Sequence, residues 1–205
     1  MRRVLAFVAA LFVVLGTAYA QETGVGPGRI EIGAFPGGGI FFGKDADDHG
    51  PNFGNYALGA SVTVNFNKWV GVEGEVGGGI GIHQDMTFNG NPLAHQKTPD
   101  MIAYNGNVMV NPIGNDRAVV PYVVGGIGGL TLFTAKEVVP LGVTQDQTYF
   151  TGNLGGGVKW FATRHVGLRA DGRVIAVKNK DSAPFFGYED HRYGVRFYGG
   201  LVLTY

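Results

Sequence analysis

Any chemistry in this chain has to come from its ionisable side chains, and nine of them fall in step with an alternation of apolar and polar residues. Arg29, Glu31, Glu73, Glu75, Lys159, Arg169, Asp171, Arg173 and Arg196 all occupy positions opposite an apolar face. Glu73 and Glu75, two residues apart, have the spacing of a carboxylate pair for general acid–base work, in which one carboxyl holds the proton that the other accepts. No neighbouring pattern supplies a substrate pocket for them. The simpler use of such a set is mutual pairing, because a buried charge without a partner costs on the order of several kcal/mol.

The remaining candidates for chemistry fail on spacing. Asp45, Asp47, Asp48 and His49 open like a calcium loop, with Gly50 at its sixth position, but Tyr56 stands where a bidentate Glu is required. They read as a solvated loop tip. His49, His83, His95, His165 and His191 show no metal-ligand spacing. With no Cys in the chain, thiolate sites, disulfides and a cysteine-linked lipid anchor are all excluded. Ser is scarce, and no His-x-Ser arrangement near the last strands resembles a lipid A deacylase. The expectation is a non-enzymatic protein with no metal and no cofactor.

Strands must position these residues, because the alternation has period two. Tyr56, Leu58, Ala60, Val62, Val64 and Phe66 share one face, with Ala57, Gly59, Ser61, Thr63 and Asn65 on the other. Val70, Val72, Val76, Ile80 and Ile82 oppose Glu73 and Glu75. Val166, Leu168, Ala170, Val174 and Ala176 oppose Arg169, Asp171 and Arg173. Tyr193, Val195, Phe197, Leu201, Leu203 and Tyr205 oppose Arg196, Tyr198 and Thr204. Four less regular strands fall near 28–42, 100–111, 118–133 and 149–162. In the third of these, Val119, Val120, Tyr122, Val123 and Val124 are apolar on both faces, so its facing is open. Gly37-Gly38-Gly39 marks a bulge or bend in the first strand.

Short and long connections alternate strictly. The short ones are Asn67-Lys68, residues 112–117 and Thr163-Arg164-His165; the long, polar ones lie near 43–54, 83–99, 134–148 and 178–192. Three short and four long connections describe an all-β, eight-stranded antiparallel up-and-down barrel, with both termini at the short-turn end. Strands three and seven then stand opposite each other, which brings Glu73 and Glu75 to the height of Arg169–Arg173.

Period two alone permits either a water-soluble barrel with an apolar interior or a membrane barrel with an apolar exterior. The polar face is poor in charge and rich in Gly, Ser, Thr and Asn, which suits a narrow lumen and not a soluble surface. Aromatic residues gather at both strand ends. Phe66, Trp69, Trp160, Phe161 and Tyr205 form a band at the short-turn end. Phe41, Phe42, Phe53, Tyr56, Phe133, Tyr149, Phe150, Phe185, Phe186, Tyr188 and Tyr193 form one at the loop end. The membrane alternative is therefore expected.

The first twenty residues stand apart. Arg2 and Arg3 precede an apolar run from Val4 to Leu15, and Ala18-Tyr19-Ala20 supplies a small-x-small cleavage pattern. A twelve-residue run is too short to span the roughly 30 Å hydrocarbon core as a helix. Residues 1–20 read as a signal peptide and 21–205 as the barrel domain. The whole chain has 16 basic and 16 acidic residues, so losing Arg2 and Arg3 leaves a formal net charge of −2. No basic patch points to nucleic acid.

Residues 21–205 resemble the bacterial outer-membrane β-barrel superfamily that includes the OmpA transmembrane domain and OmpX-like proteins. The matching segments are PYVVGGIGGL (121–130), NLGGGVKWFATRHVGLRADGRV (153–174) and the terminal YGGLVLTY. The outward set Phe197, Gly199, Leu201, Leu203 and Tyr205 resembles the C-terminal signal read by barrel-assembly machinery, with Tyr where Phe is more usual. No peptidoglycan-binding domain follows, so cell-wall tethering is not implied. The resemblance implies a Gram-negative outer-membrane location with periplasmic termini, contact with lipid and lipopolysaccharide, and a possible extracellular partner at the long loops. The expected role is structural or loop-mediated, with a lumen plugged by polar and charged side chains; the alternative is a narrow passive channel for ions or small or hydrophobic solutes.

Overall fold

The computed structural model describes residues 30–43, 52–88, 91–134, 144–180, 184–186 and 191–205. The alternating segments form strands β1 (Ile30–Phe42), β2 (Phe53–Asn65) and β3 (Val70–Ile80), a hairpin of β4 (His83–Phe88) and β5 (Asn91–Lys97), and then β6 (Met101–Val110), β7 (Val119–Leu132), β8 (Gln147–Phe161), β9 (Val166–Lys178) and β10 (His191–Thr204). Eight of these close into one antiparallel barrel in the order β1-β10-β9-β8-β7-β6-β3-β2. Closure removes the sheet edges that would otherwise expose unpaired backbone in lipid. Ile30 and Tyr205 complete the seam by donating to each other's carbonyls at 3.1 and 2.9 Å.

The eight barrel strands are those expected from the alternation. The β4–β5 hairpin was not expected, because residues 83–99 carry polar side chains on both faces and bury no continuous stripe that would show a period. The hairpin is fastened to the rim of β2. The Gln84 side chain donates to the Gly54 carbonyl at 2.6 Å and accepts from its N–H at 3.1 Å. Asn52 bridges to Thr87 one step further along.

Side-chain facing follows the pleat. Val72, Val76, Ile80, Leu168, Val174, Phe197, Leu201 and Leu203 are exposed on the outer wall, whereas Glu73, Glu75, Arg169, Asp171, Arg173 and Arg196 are buried inside. On β7, Val120, Tyr122 and Val124 point inward and Val119 and Val123 outward, which settles the strand with two apolar faces. On β1, the register against β10 shifts between Ala34 and Gly37, and that against β2 between Phe35 and Gly39. This bulge falls at the glycine run and inverts the facing: Glu31 and Phe35 are buried before it, Ile40 and Phe42 after it.

Facing also corrects one aromatic assignment. Phe66, Trp69, Trp160 and Tyr205 are exposed near the short turns, but Phe161 is buried with Val120 and Val202. Trp160 and Phe161 are adjacent on one strand, so the pleat can send only one of them outward.

The short-turn end is a tied base. The Asn67 side chain accepts from the N–H groups of Trp69 and Val70 at 2.8 and 3.0 Å, and Thr163 does the same for His165 and Val166. The turn between β6 and β7 leans on the first of these, with the Asn111 and Asn115 N–H groups donating to the Trp69 and Lys68 carbonyls, each at 2.8 Å.

Candidate functional site: a layered lumen

The half of the lumen nearer the short turns is ionic. Glu31 on β1 holds Lys159 of β8 through both carboxylate oxygens, at 2.9 and 2.7 Å, and accepts from the Asn65 amide at 2.7 Å. Above this pair, β3 faces β9 across the ring. Arg169 reaches Glu73 at 2.5 Å and Asp171 at 2.8 Å, while Arg173 reaches Glu73 at 2.9 Å, Asp171 at 2.8 Å and Glu75 at 3.0 Å. Arg196 of β10 closes the set on Glu75 at 2.6 Å. Arg29 lies outside the described residues. The eight described members comprise Glu31, Glu73, Glu75 and Asp171 against Lys159, Arg169, Arg173 and Arg196, so their charges balance.

Neutral side chains complete the layer, and these the alternation had not singled out. Tyr122 donates to Asp171 at 2.7 Å and accepts from Arg169 Nε at 2.8 Å. Asn107 donates to Glu73 at 3.0 Å and accepts from Asn153 at 2.9 Å. All three face inward by the same parity that located the charges. A single Asn or Tyr on a Gly-rich strand carries no signal until its cross-lumen partner is known. Arg192, buried on β10 four residues from Arg196 toward the loop end, also follows that parity and was likewise not singled out. As for acid–base chemistry, the oxygens of Glu73 and Glu75 face Arg169, Arg173 and Arg196, which suits ion pairing and not proton exchange with a substrate.

An aromatic pair borders this layer and joins it to the apolar cluster nearer the loops. Phe35 and Tyr198 stack with centroids 5.1 Å apart. Arg196 lies 4.3 Å from the Tyr198 ring centre and Arg169 lies 5.1 Å from that of Phe35, so a cation rests against each ring. Tyr198 reaches past β1 to donate to the Leu58 carbonyl of β2 at 3.1 Å. It fits because Gly59 and Gly77 pair across β2 and β3 at that point, and a Cβ on Gly77 would collide with its hydroxyl.

The half nearer the long loops is mainly aromatic and aliphatic, with Arg192, Asn55 and Gln147 buried among those side chains. The loop-end aromatic residues do not form a single outward band. Phe41, Tyr56, Phe133, Phe150 and Tyr193 are exposed, but Phe42, Phe53, Tyr149, Phe185 and Phe186 are buried together with Met86, Met101, Leu130 and Leu132. Phe185 and Phe186 arrive on a single 3-10 turn, Pro184–Phe186, in the β9–β10 connection. Phe186 packs against Phe42 and Tyr149 at 4.9 and 5.1 Å, and Phe185 against Phe53 at 5.8 Å. Tyr188 lies outside the described residues, as does the acidic segment with Asp45, Asp47, Asp48, His49 and Gly50. Among the described residues no group of three or more His, Asp or Glu is arranged to hold a metal ion.

Residues 6–197 match the Outer membrane protein beta-barrel domain family. Solved structures of similar fold include Neisserial surface protein A (NspA), at 11% identity and a TM-score of 0.57, covering 86% of this chain and 97% of that one. The N-terminal beta-barrel domain of Pseudomonas aeruginosa OprF is similar at 14% identity and a TM-score of 0.51, covering 85% of this chain and 95% of that one. No curated protein matches the sequence at a significant level. The chain belongs to the Outer membrane protein beta-barrel domain family, and its outward apolar wall is the lipid-facing surface of an outer-membrane protein.

Proposed function

We propose that this member of the outer-membrane β-barrel family is a closed barrel with a structural or loop-mediated role. Residues 1–20 direct export and are removed. The termini and short turns face the periplasm, the C-terminal strand is read by barrel-assembly machinery, and the outer wall contacts lipid and lipopolysaccharide. The long loops, with the β4–β5 hairpin pinned to the rim at Gly54, offer a surface to partners outside the cell. Recognition is commonly carried by loops on a rigid scaffold of this kind.

The observation that carries this reading is the charge balance of the eight-residue layer, in which every ion is paired within the set. A conducting pore needs sites that an ion can enter and leave, whereas here the internal counter-ions occupy those sites. Planar-bilayer recording of the refolded protein tests it. The expected trace stays at the lipid baseline. Stable single-channel steps that change with Glu73→Gln would favour the narrow channel instead.

A further inference from the structure

We infer that the loop-side half of the lumen is a binding site for a small apolar aromatic molecule, held in the described state by the chain's own Phe185 and Phe186. This goes beyond the closed-barrel reading and does not depend on it, since the ionic layer lies below the site and is untouched by its occupancy.

Three observations carry the inference. The two rings belong to a three-residue 3-10 turn that is not part of the barrel sheet, so their withdrawal leaves every strand pairing intact. The walls around them, Phe42, Phe53, Tyr149 and Leu132 with Met86 and Met101, are aromatic, aliphatic and thioether. Methionine adapts its shape and is favoured on surfaces that accept varied apolar partners. Below them stand the Phe35–Tyr198 stack and the ion-paired residues that rest against it, so the space is bounded on the side of the short turns.

The occupant's chemistry follows from what the turn supplies. Phe185 and Phe186 contribute two rings, 5.1 Å apart and near perpendicular, and both are fully buried. A ligand displaces them only if it takes over the contacts they make, because it shifts the equilibrium by no more than its differential affinity for the two states. Two aromatic rings joined by a short linker that lets them stand across each other do so. A charged solute would lose its hydration against the aromatic and aliphatic walls.

The test is 19F NMR of 4-fluorodiphenylmethane titrated into the full barrel in dimyristoylphosphatidylcholine nanodiscs. The wild-type protein is expected to give a saturable one-site signal that is absent from empty nanodiscs. Phe185→Ala/Phe186→Ala should bind at least tenfold more tightly, since no turn has to be displaced, while Phe133→Ala on the outer wall should match wild type. Methyl-labelled Met provides a readout in the unmutated protein, with ligand contacts expected at Met86 and Met101 and none at Met109, which is buried with Tyr122 and Val124. Saturable binding by the double variant alone would mean that the turn is a permanent filler, and would overturn the inference. Contacts confined to outer-wall side chains would overturn it as well.

Discussion

Phe35 and Tyr198 lie face to face, 3° from parallel, at the level where the lumen changes from ionic to apolar. Phe35 sits on β1 just before the bulge and Tyr198 on β10, whose register against β1 shifts at that bulge. The bulge therefore does more than bend a strand. It lets one strand present Glu31 to the ionic layer and Ile40 and Phe42 to the aromatic one, with Phe35 between them.

The first prediction separates the ring from the hydroxyl of Tyr198. Tyr198→Ala removes the stack and the cover over Arg196, and should cost about 3–5 kcal/mol of stability, as truncation of a large buried aromatic does. Tyr198→Phe keeps the stack and loses only the bond to the Leu58 carbonyl, for about 1 kcal/mol. Urea unfolding in lipid vesicles reads both. Equal losses would mean that the ring stack contributes nothing.

A second prediction concerns the lowest ion pair. Lys159→Met leaves the Glu31 carboxylate buried with the Asn65 amide as its remaining described partner, and breaking a buried pair in this way costs about 3–5 kcal/mol. Glu31→Gln/Lys159→Met removes both charges and should recover much of that loss, giving a coupling of about 2 kcal/mol in a double-mutant cycle. Additive single losses would show that the two side chains act independently.

How far the lumen was legible in the sequence depended on which feature broke the alternation. Glu73, Glu75, Arg169, Asp171, Arg173 and Arg196 stand on strands whose parity never slips, so their inward facing and their height could be read directly. On β1 the parity slips at Gly37–Gly39; a bulge could be anticipated there, but its effect on Phe42 required the register. Phe53, Tyr149 and Phe161 sit at strand ends, where an aromatic ring is equally at home in lipid or in a plug, and composition does not distinguish the two. The Pro184–Phe186 turn has no period at all. Its place in the mouth is a tertiary fact.

A third prediction uses glycines of opposite facing on β3. Gly77 lies against the Tyr198 hydroxyl, so Gly77→Ala must displace that side chain or push the strands apart; overpacking of this kind costs about 1–3 kcal/mol. Gly74 faces outward with nothing within 4 Å of an added Cβ, and Gly74→Ala should change stability by no more than about 0.5 kcal/mol. The unfolding midpoints of the two variants give the comparison. A Gly74→Ala loss as large as that of Gly77→Ala would place the requirement in the backbone and not in the tyrosine slot.

The last prediction is that the two layers seal the lumen redundantly. Phe185→Ala/Phe186→Ala thins the aromatic layer but leaves the Phe35–Tyr198 stack and the ionic set beneath it. Glu73→Ser/Arg173→Ser, which preserves net charge, opens the ionic layer but leaves the apolar half dry, and a dry constriction of that kind blocks ions by excluding their water. Each double variant should therefore record at the lipid baseline in a planar bilayer, provided that its unheated gel mobility shows a folded barrel. The two layers fail by different physics, one by supplying sites for ions in place of counter-ions and the other by admitting water. If either double variant alone produced stable conductance steps, the layer left in place would not be a seal, and closure would rest on the other layer alone.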